Sequence, residues 1–178
     1  MGVSQSRTNY AMEIKMILTR RNFLVVAATA APALAALPAA AAGETVIDVS
    51  LWDDPNKDTP TGLGYGMGGD MSKANMGIKV SQAEVTAGHV AFKVTNDSKD
   101  MIHEMVVSPI KETGKPLPYD ADLDKVIEDD AGHLGEVAEL DPGQKGGLTL
   151  DLKPGQYILY CNIPAHYGAG MWTVLTVK

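Results

Sequence analysis

From residue 134 to the C-terminus, apolar and polar residues alternate in short runs, each closed by a turn signal. That period of two admits little except a β-fold. Residues 134–140 lead into Asp141-Pro142-Gly143. Leu148, Leu150 and Leu152 then alternate with Thr149 and Asp151, and Lys153-Pro154-Gly155 turns the chain again. Pro-Gly supplies the φ values of a type II turn. Residues 156–161 follow with Tyr157, Leu159 and Cys161 on one face, and residues 171–177 form a last strand.

The same pattern runs upstream. Residues 44–51 (ETVIDVSL) alternate and form a first strand, and residues 78–80 and 84–95 form the next two. Val90, Phe92 and Val94 share one face of the longer run, which turns His89 to the solvent with Ala91 and Lys93. After the turn signal Asn96-Asp97-Ser98, residues 101–108 place His103, Met105 and Val107 on an inward face. Residues 52–75 have no periodicity and read as a loop or a loosely attached arm. Residues 109–130 also break the pattern. There Leu123, Val126 and Ile127 recur at helical spacing, with Asp120 or Asp122 as N-cap, which predicts a short helical excursion. Seven or eight short strands with such punctuation imply an all-β antiparallel sandwich. No repeat, phosphate-binding loop or dinucleotide fingerprint is present.

The first 42 residues do not belong to that fold. Thr19-Arg20-Arg21-Asn22-Phe23-Leu24 opens an alanine-rich apolar run that contains Pro32 and Pro38 and ends in Ala40-Ala41-Ala42. A charged segment, an apolar segment and a small-residue cleavage site make an export signal, and the paired arginines place it in the twin-arginine class. The run is barely long enough to span a bilayer and is weakly hydrophobic, which argues against stable membrane insertion. Met16 is an alternative initiator, and the Met1-Gly2…Ser6 match to a myristoylation pattern is coincidental. Cleavage after Ala42 leaves one domain, residues 43–178, divided into 43–76 (first strand plus a Gly/Met-rich arm) and a core sandwich over 77–178. Four cations and one anion leave with the signal, so the formal charge moves from −7 to −10. A domain this acidic avoids nucleic acid and anionic lipid and is steered toward basic partners.

Cys161 is the only cysteine. Exported domains spend cysteines in pairs, so a lone exported thiol calls for an occupant, and a bound metal is the simplest. His166 lies five residues on and Met171 five beyond that. Thiolate, imidazole and thioether on one loop, with a second imidazole from elsewhere, suit copper cycling between Cu(I) and Cu(II). Inward-facing His103 is that second imidazole. Zinc would gain little from a thioether. His133 sits in a Gly-flanked turn and reads as exposed, and Glu128-Asp129-Asp130 as a solvated acidic face.

With these residues in view, residues 78–178 resemble the cupredoxins, or type 1 blue copper proteins. The family places one His on an early strand and Cys, His and Met on the loop joining the last two strands, which here are His103, Cys161, His166 and Met171. Four residues separate each successive pair on the loop, a spacing similar to the rusticyanin and auracyanin branches. The resemblance implies a Greek-key β-sandwich and one type 1 copper. It also implies a monomeric periplasmic carrier of single electrons for redox proteins such as a c-type cytochrome or an oxidase. It further implies that partners dock on the uncharged collar around His166 (Ile163, Pro164, Ala165, Tyr167, Gly168, Ala169 and Gly170), through which electrons pass. Many members have Asn after the first histidine to tie the ligand segments together. This chain has Glu104, which alternation places opposite His103, on a solvated face.

Two other readings compete. In one the same fold serves copper tolerance or delivery, with Met67, Met71 and Met76 as an accessory Cu(I) site. In the other Cys161 and His166 are a catalytic nucleophile and base, which leaves Met171 and His103 without a role. A multicopper enzyme would need a second histidine-rich site, and only His89 and His133 remain.

Overall fold

The computed structural model describes residues 43–178, so the expected export signal lies outside the described residues. Within them the chain forms strands β1 (Thr45–Asp53), β2 (Met76–Val80), β3 (Glu84–Val85), β4 (Gly88–Asn96), β5 (His103–Pro109), β6 (Tyr119–Asp120) and β7 (Lys125–Val126). A four-residue helix, α1 (Glu128–Ala131), precedes β8 (Gly135–Leu140), β9 (Lys145–Leu152), β10 (Gly155–Tyr160) and β11 (Trp172–Val177). Four strands make one sheet in the order β2-β1-β4-β9, and five make the other in the order β3-β11-β10-β5-β8. The two-residue strands β6 and β7 pair with each other. Most pairings are antiparallel as expected, but β1 runs parallel to β4 and β3 parallel to β11. No helix among the described residues is long and apolar enough to cross a membrane.

The alternating residues meet between the sheets. Ile47, Val49 and Leu51 of β1, Val90, Phe92 and Val94 of β4, Met105 and Val107 of β5, and Tyr157 and Leu159 of β10 form one buried cluster. Burying a large apolar side chain contributes roughly 1.5–3 kcal/mol, so this layer is the main source of stability. His89 is exposed, as its register required. In the turn Asp141–Gln144 the Gln144 amide donates to the Asp141 carbonyl at 2.9 Å, and Gly143 takes φ 79° as a type II turn needs. Gly155 instead enters β10 directly.

The five-stranded sheet is also covered on its outer face. Val106 of β5, Ile158 and Tyr160 of β10, and Tyr167 pack there with Leu117, Val126 and Ala131 in a second buried cluster. Here the structure departs from the helix predicted over the 120s. Asp120 Oδ1 accepts the amides of Asp122 and Leu123 at 2.9 and 3.1 Å, which caps a turn, and Asp124 sits at φ 52°. Leu123 and Ile127 are 62% and 42% exposed, so the helical stripe is not buried, and helix is confined to α1. Residues 52–75 likewise contain more structure than their composition indicated. β1 continues through Trp52 and Asp53, and Met71–Lys73 forms a 3-10 turn capped by Asp70.

The second cluster predicts that Ile158→Ala loses about 2–5 kcal/mol of unfolding free energy, the cost of a fully buried site. Denaturant titration of the copper-free protein measures it. A loss below about 0.5 kcal/mol, typical of an exposed position, would refute burial of this outer face.

Candidate metal centre

β5 and β10 pair antiparallel, with Tyr160 opposite Val106 and Leu159 opposite Val107. Beyond the end of that ladder, Cys161, one residue past Tyr160, and His103, three residues before Val106, sit at the same end of the sandwich, both fully buried. The chain after Cys161 then folds back on itself. The His166 amide donates to the Ile163 carbonyl at 3.0 Å, and the Ala169 and Met171 amides return to the His166 carbonyl at 3.2 and 3.0 Å. The Cys161 amide donates to the Met171 carbonyl at 3.1 Å, which closes the loop at its base. Gly170 holds φ 97°, and a Cβ there would come within 3.0 Å of the Ala74 Cβ, so this turn needs glycine.

Three of the four predicted residues converge. His103 Nδ1 lies 3.2 Å from His166 Nδ1, and Cys161 Sγ lies 3.3 Å from the same nitrogen. One donor atom from each of the three fits within 4.8 Å of the others. Met171 is fully buried at the end of the loop, with its backbone bonded to both Cys161 and His166.

Burial controls the protonation of all three. It holds both imidazoles below their ordinary pKa, His166 down to about 4, where the neighbouring His103 adds to the effect. Burial also pushes the copper-free Cys161 thiol up to about 12. At neutral pH each ring is therefore uncharged, with a lone pair on one nitrogen, and a metal has only the thiol proton to displace. Two unprotonated imidazoles and a soft sulfur, closed off from water, are a donor set that fits copper.

Around these residues lie three that the sequence reading missed or misplaced. The first is Glu104, expected on a solvated face. It is 8% exposed, because the second cluster covers that side of the sheet. Its amide lies 3.5 Å from Cys161 Sγ, and its Oε1 accepts the Asn162 amide at 3.0 Å. It therefore ties the segment after His103 to the segment that carries Cys161. Burial, with Glu128 and Glu136 nearby, pushes its carboxyl up to about 7. The second is Asn162. Its side chain accepts the Val126 amide at 2.7 Å and donates to the Val126 carbonyl at 3.0 Å and to Glu128 Oε1 at 2.6 Å.

The third is Asp53. Its Oδ1 is 3.1 Å from His103 Nε2, with the two side chains 3% and 0% exposed. The separation would suit an ion pair, but burial outweighs the carboxylate and keeps the ring neutral, so the contact is a hydrogen bond. A signal was available: Asp53 continues the alternation of Ile47, Val49 and Leu51 by one more inward position. The remaining histidine, His133, lies 3.8 Å from Glu136 at the surface.

Residues 66–178 match the family model of copper binding proteins of the plastocyanin/azurin family. The chain belongs to that family. It is a copper-binding protein of an electron-transfer family, and the three-residue cluster fits a type 1 copper site. Among solved structures, a rusticyanin is 16% identical with a TM-score of 0.51, over 76% of this chain and 78% of that one. Reduced rusticyanin is 17% identical with a TM-score of 0.50, over 76% and 79%. An auracyanin from Roseiflexus castenholzii is 20% identical with a TM-score of 0.46, over 75% and 96%. The rusticyanin likeness agrees with the sandwich fold. No curated protein matches the chain.

Glu104→Ala removes the acceptor of the buried Asn162 amide and is expected to cost about 1–3 kcal/mol. Glu104→Gln keeps an oxygen there and removes the charge. In the copper-free protein the folded-state value of about 7 exceeds the ordinary 4.5, so this group's stabilisation is full below the lower value and is lost as pH rises through the higher. Between those limits the Glu104→Gln variant should lose less, or gain more, stability with rising pH than the unaltered protein. Urea unfolding across that range checks it, and identical slopes would contradict the burial of this carboxyl.

Proposed function

We propose that the protein is an exported, periplasmic carrier of single electrons whose copper is held by His103, Cys161, His166 and Met171. The observation that supports this most is one buried cluster in which His166 Nδ1 lies 3.2 Å from His103 Nδ1 and 3.3 Å from the Cys161 thiol. Copper bound there would supply one electron at a time by cycling between Cu(I) and Cu(II). The chain's own part is to hold the ligands so that neither oxidation state forces them to move. Strand β5 and the self-bonded loop fix them at a closed sandwich end, which keeps reorganisation small. Two-state cycling without substrate contact makes the protein a carrier rather than an enzyme.

The loop also presents a docking face. Ile163, Pro164 and Ala165 form its outer edge, with the buried His166 ring directly behind, and residues 163–171 carry no acidic or basic side chain apart from His166. Beyond this edge, the Asn162 side chain bonds Glu128, the first residue of α1, which also carries Asp129 and Asp130. An apolar contact patch near an acidic surface suits a basic redox partner such as a c-type cytochrome or an oxidase, met by a monomeric carrier. The accessory Cu(I) site draws no comparable support. Met76 is core, Met67 packs against the second cluster, and Met71 is 40% exposed.

The deciding experiment is the visible and EPR spectrum of protein loaded with one equivalent of Cu(II). An intense thiolate-to-copper absorption that bleaches on reduction and vanishes in Cys161→Ser is expected. A colourless Cu(II) form, or colour that survives the substitution, would overturn the proposal. Electron transfer with a basic cytochrome should also slow steeply as salt rises through the range in which the Debye length falls from about 30 to 10 Å. A salt-independent rate would remove the acidic surface from the docking argument.

A further inference from the structure

We infer that Asp53 is a positioning residue for the metal centre: it fixes the tautomer of His103 and biases the site toward its oxidised state. The inference rests on the reading of His103 as a copper ligand. The ring meets a different partner on each side. Nε2 faces Asp53 Oδ1 at 3.1 Å, and Nδ1 faces His166 Nδ1 at 3.2 Å. A carboxylate accepts hydrogen bonds and does not donate them, so the ring proton belongs on Nε2. Nδ1 then carries the lone pair, on the side of the ring that faces His166. The opposite tautomer would put a proton into the metal position and leave a buried carboxylate facing a lone pair.

The placement of Asp53 shows that this contact is built across the fold. β1 belongs to the four-stranded sheet and β5 to the five-stranded one, so the hydrogen bond spans the sandwich. Along β1, the inward positions Ile47, Val49 and Leu51 are apolar, and the fourth is an aspartate with its side chain only 3% exposed. An acid continuing an apolar face is expensive unless it is partnered. Among the described residues the partner of its carboxyl is the His103 ring. A metal-ligating histidine whose second nitrogen donates to a carboxylate is a more basic ligand than one left to water, and loss of such a partner typically weakens metal binding about 10- to 100-fold.

A buried carboxylate also discriminates between the two oxidation states. Its charge stabilises the more positive one, and in a site closed to water the effect is weakly screened. Reduction adds one electron from a donor protein and moves no proton within the Asp53–His103 pair. The carboxylate therefore opposes reduction without joining it, and its removal should raise the reduction potential.

The test has two independent readings. Nitrogen-15 NMR of the unaltered copper-free protein reports which ring nitrogen of His103 carries the proton. The Nε2–H form is expected, and Nδ1–H would overturn the inference without any variant being made. That measurement involves no copper, so it stands apart from the success or failure of the ligand assignment. Asp53→Asn then keeps an oxygen acceptor while removing the charge, and Asp53→Ala removes both. With copper bound, Asp53→Asn should raise the reduction potential and weaken Cu(II) about 10- to 100-fold while weakening Cu(I) less. Asp53→Ala should in addition mix the His103 tautomers. An unchanged potential in Asp53→Asn, even with a lowered melting temperature, would leave Asp53 as a cross-sheet tie and overturn the inference.

Discussion

The β5–β10 pairing does not end where its backbone ladder ends. Past Tyr160 and Val106 the two strands go on facing each other, but side chains now complete the bonding. The Glu104 amide approaches Cys161 Sγ, and the Asn162 amide donates to Glu104 Oε1. This substitution leaves the sulfur beside a backbone N–H and free on its other side to meet His103 and His166. The coordinating end of the sandwich depends on this change from backbone to side-chain bonding.

Covering the five-stranded sheet on both faces makes the change tolerable. An acidic side chain in the ladder would be hydrated if the outer face were open, and water would compete for its hydrogen bonds. Instead Val126, Tyr160 and Tyr167 pack over that face. Burial shifts the carboxyl, the imidazoles and the thiol in the directions that favour their neutral forms. The copper-free site therefore holds two neutral imidazoles and a protonated thiol, all desolvated, and metal binding displaces the thiol proton.

Much of this was legible in the residues because a period of two is a strong signal when one face is apolar. Leu148, Leu150 and Leu152, or Val90, Phe92 and Val94, could point only inward, and the same logic placed His103 and Cys161. It failed for Glu104, because alternation reports which side of a sheet a residue occupies and not whether that side is wet. It failed for Asp53 because Asp-Asp-Pro is strong loop chemistry, yet the strand takes in the first of those three residues. The helix predicted around Leu123 was lost to local competition. Asp120 bonds the next two free amides itself, and the left-handed Asp124 that follows cannot extend a helix.

The same competition explains how the excursion is held. Asp124 at φ 52° turns its carbonyl toward the ligand loop, where it accepts the amide of Ala165 at 2.9 Å, and Ala165 is itself at φ 72°. Such conformations cost L-residues roughly 1–2 kcal/mol each and persist only where the surroundings over-determine them. Here the surroundings are Asn162, whose side chain imitates a strand by bonding both backbone groups of Val126. With the third bond to Glu128, one residue beside Cys161 anchors β7 and α1 together. The acidic segment is thus fastened to the metal loop from both ends of a two-residue interval.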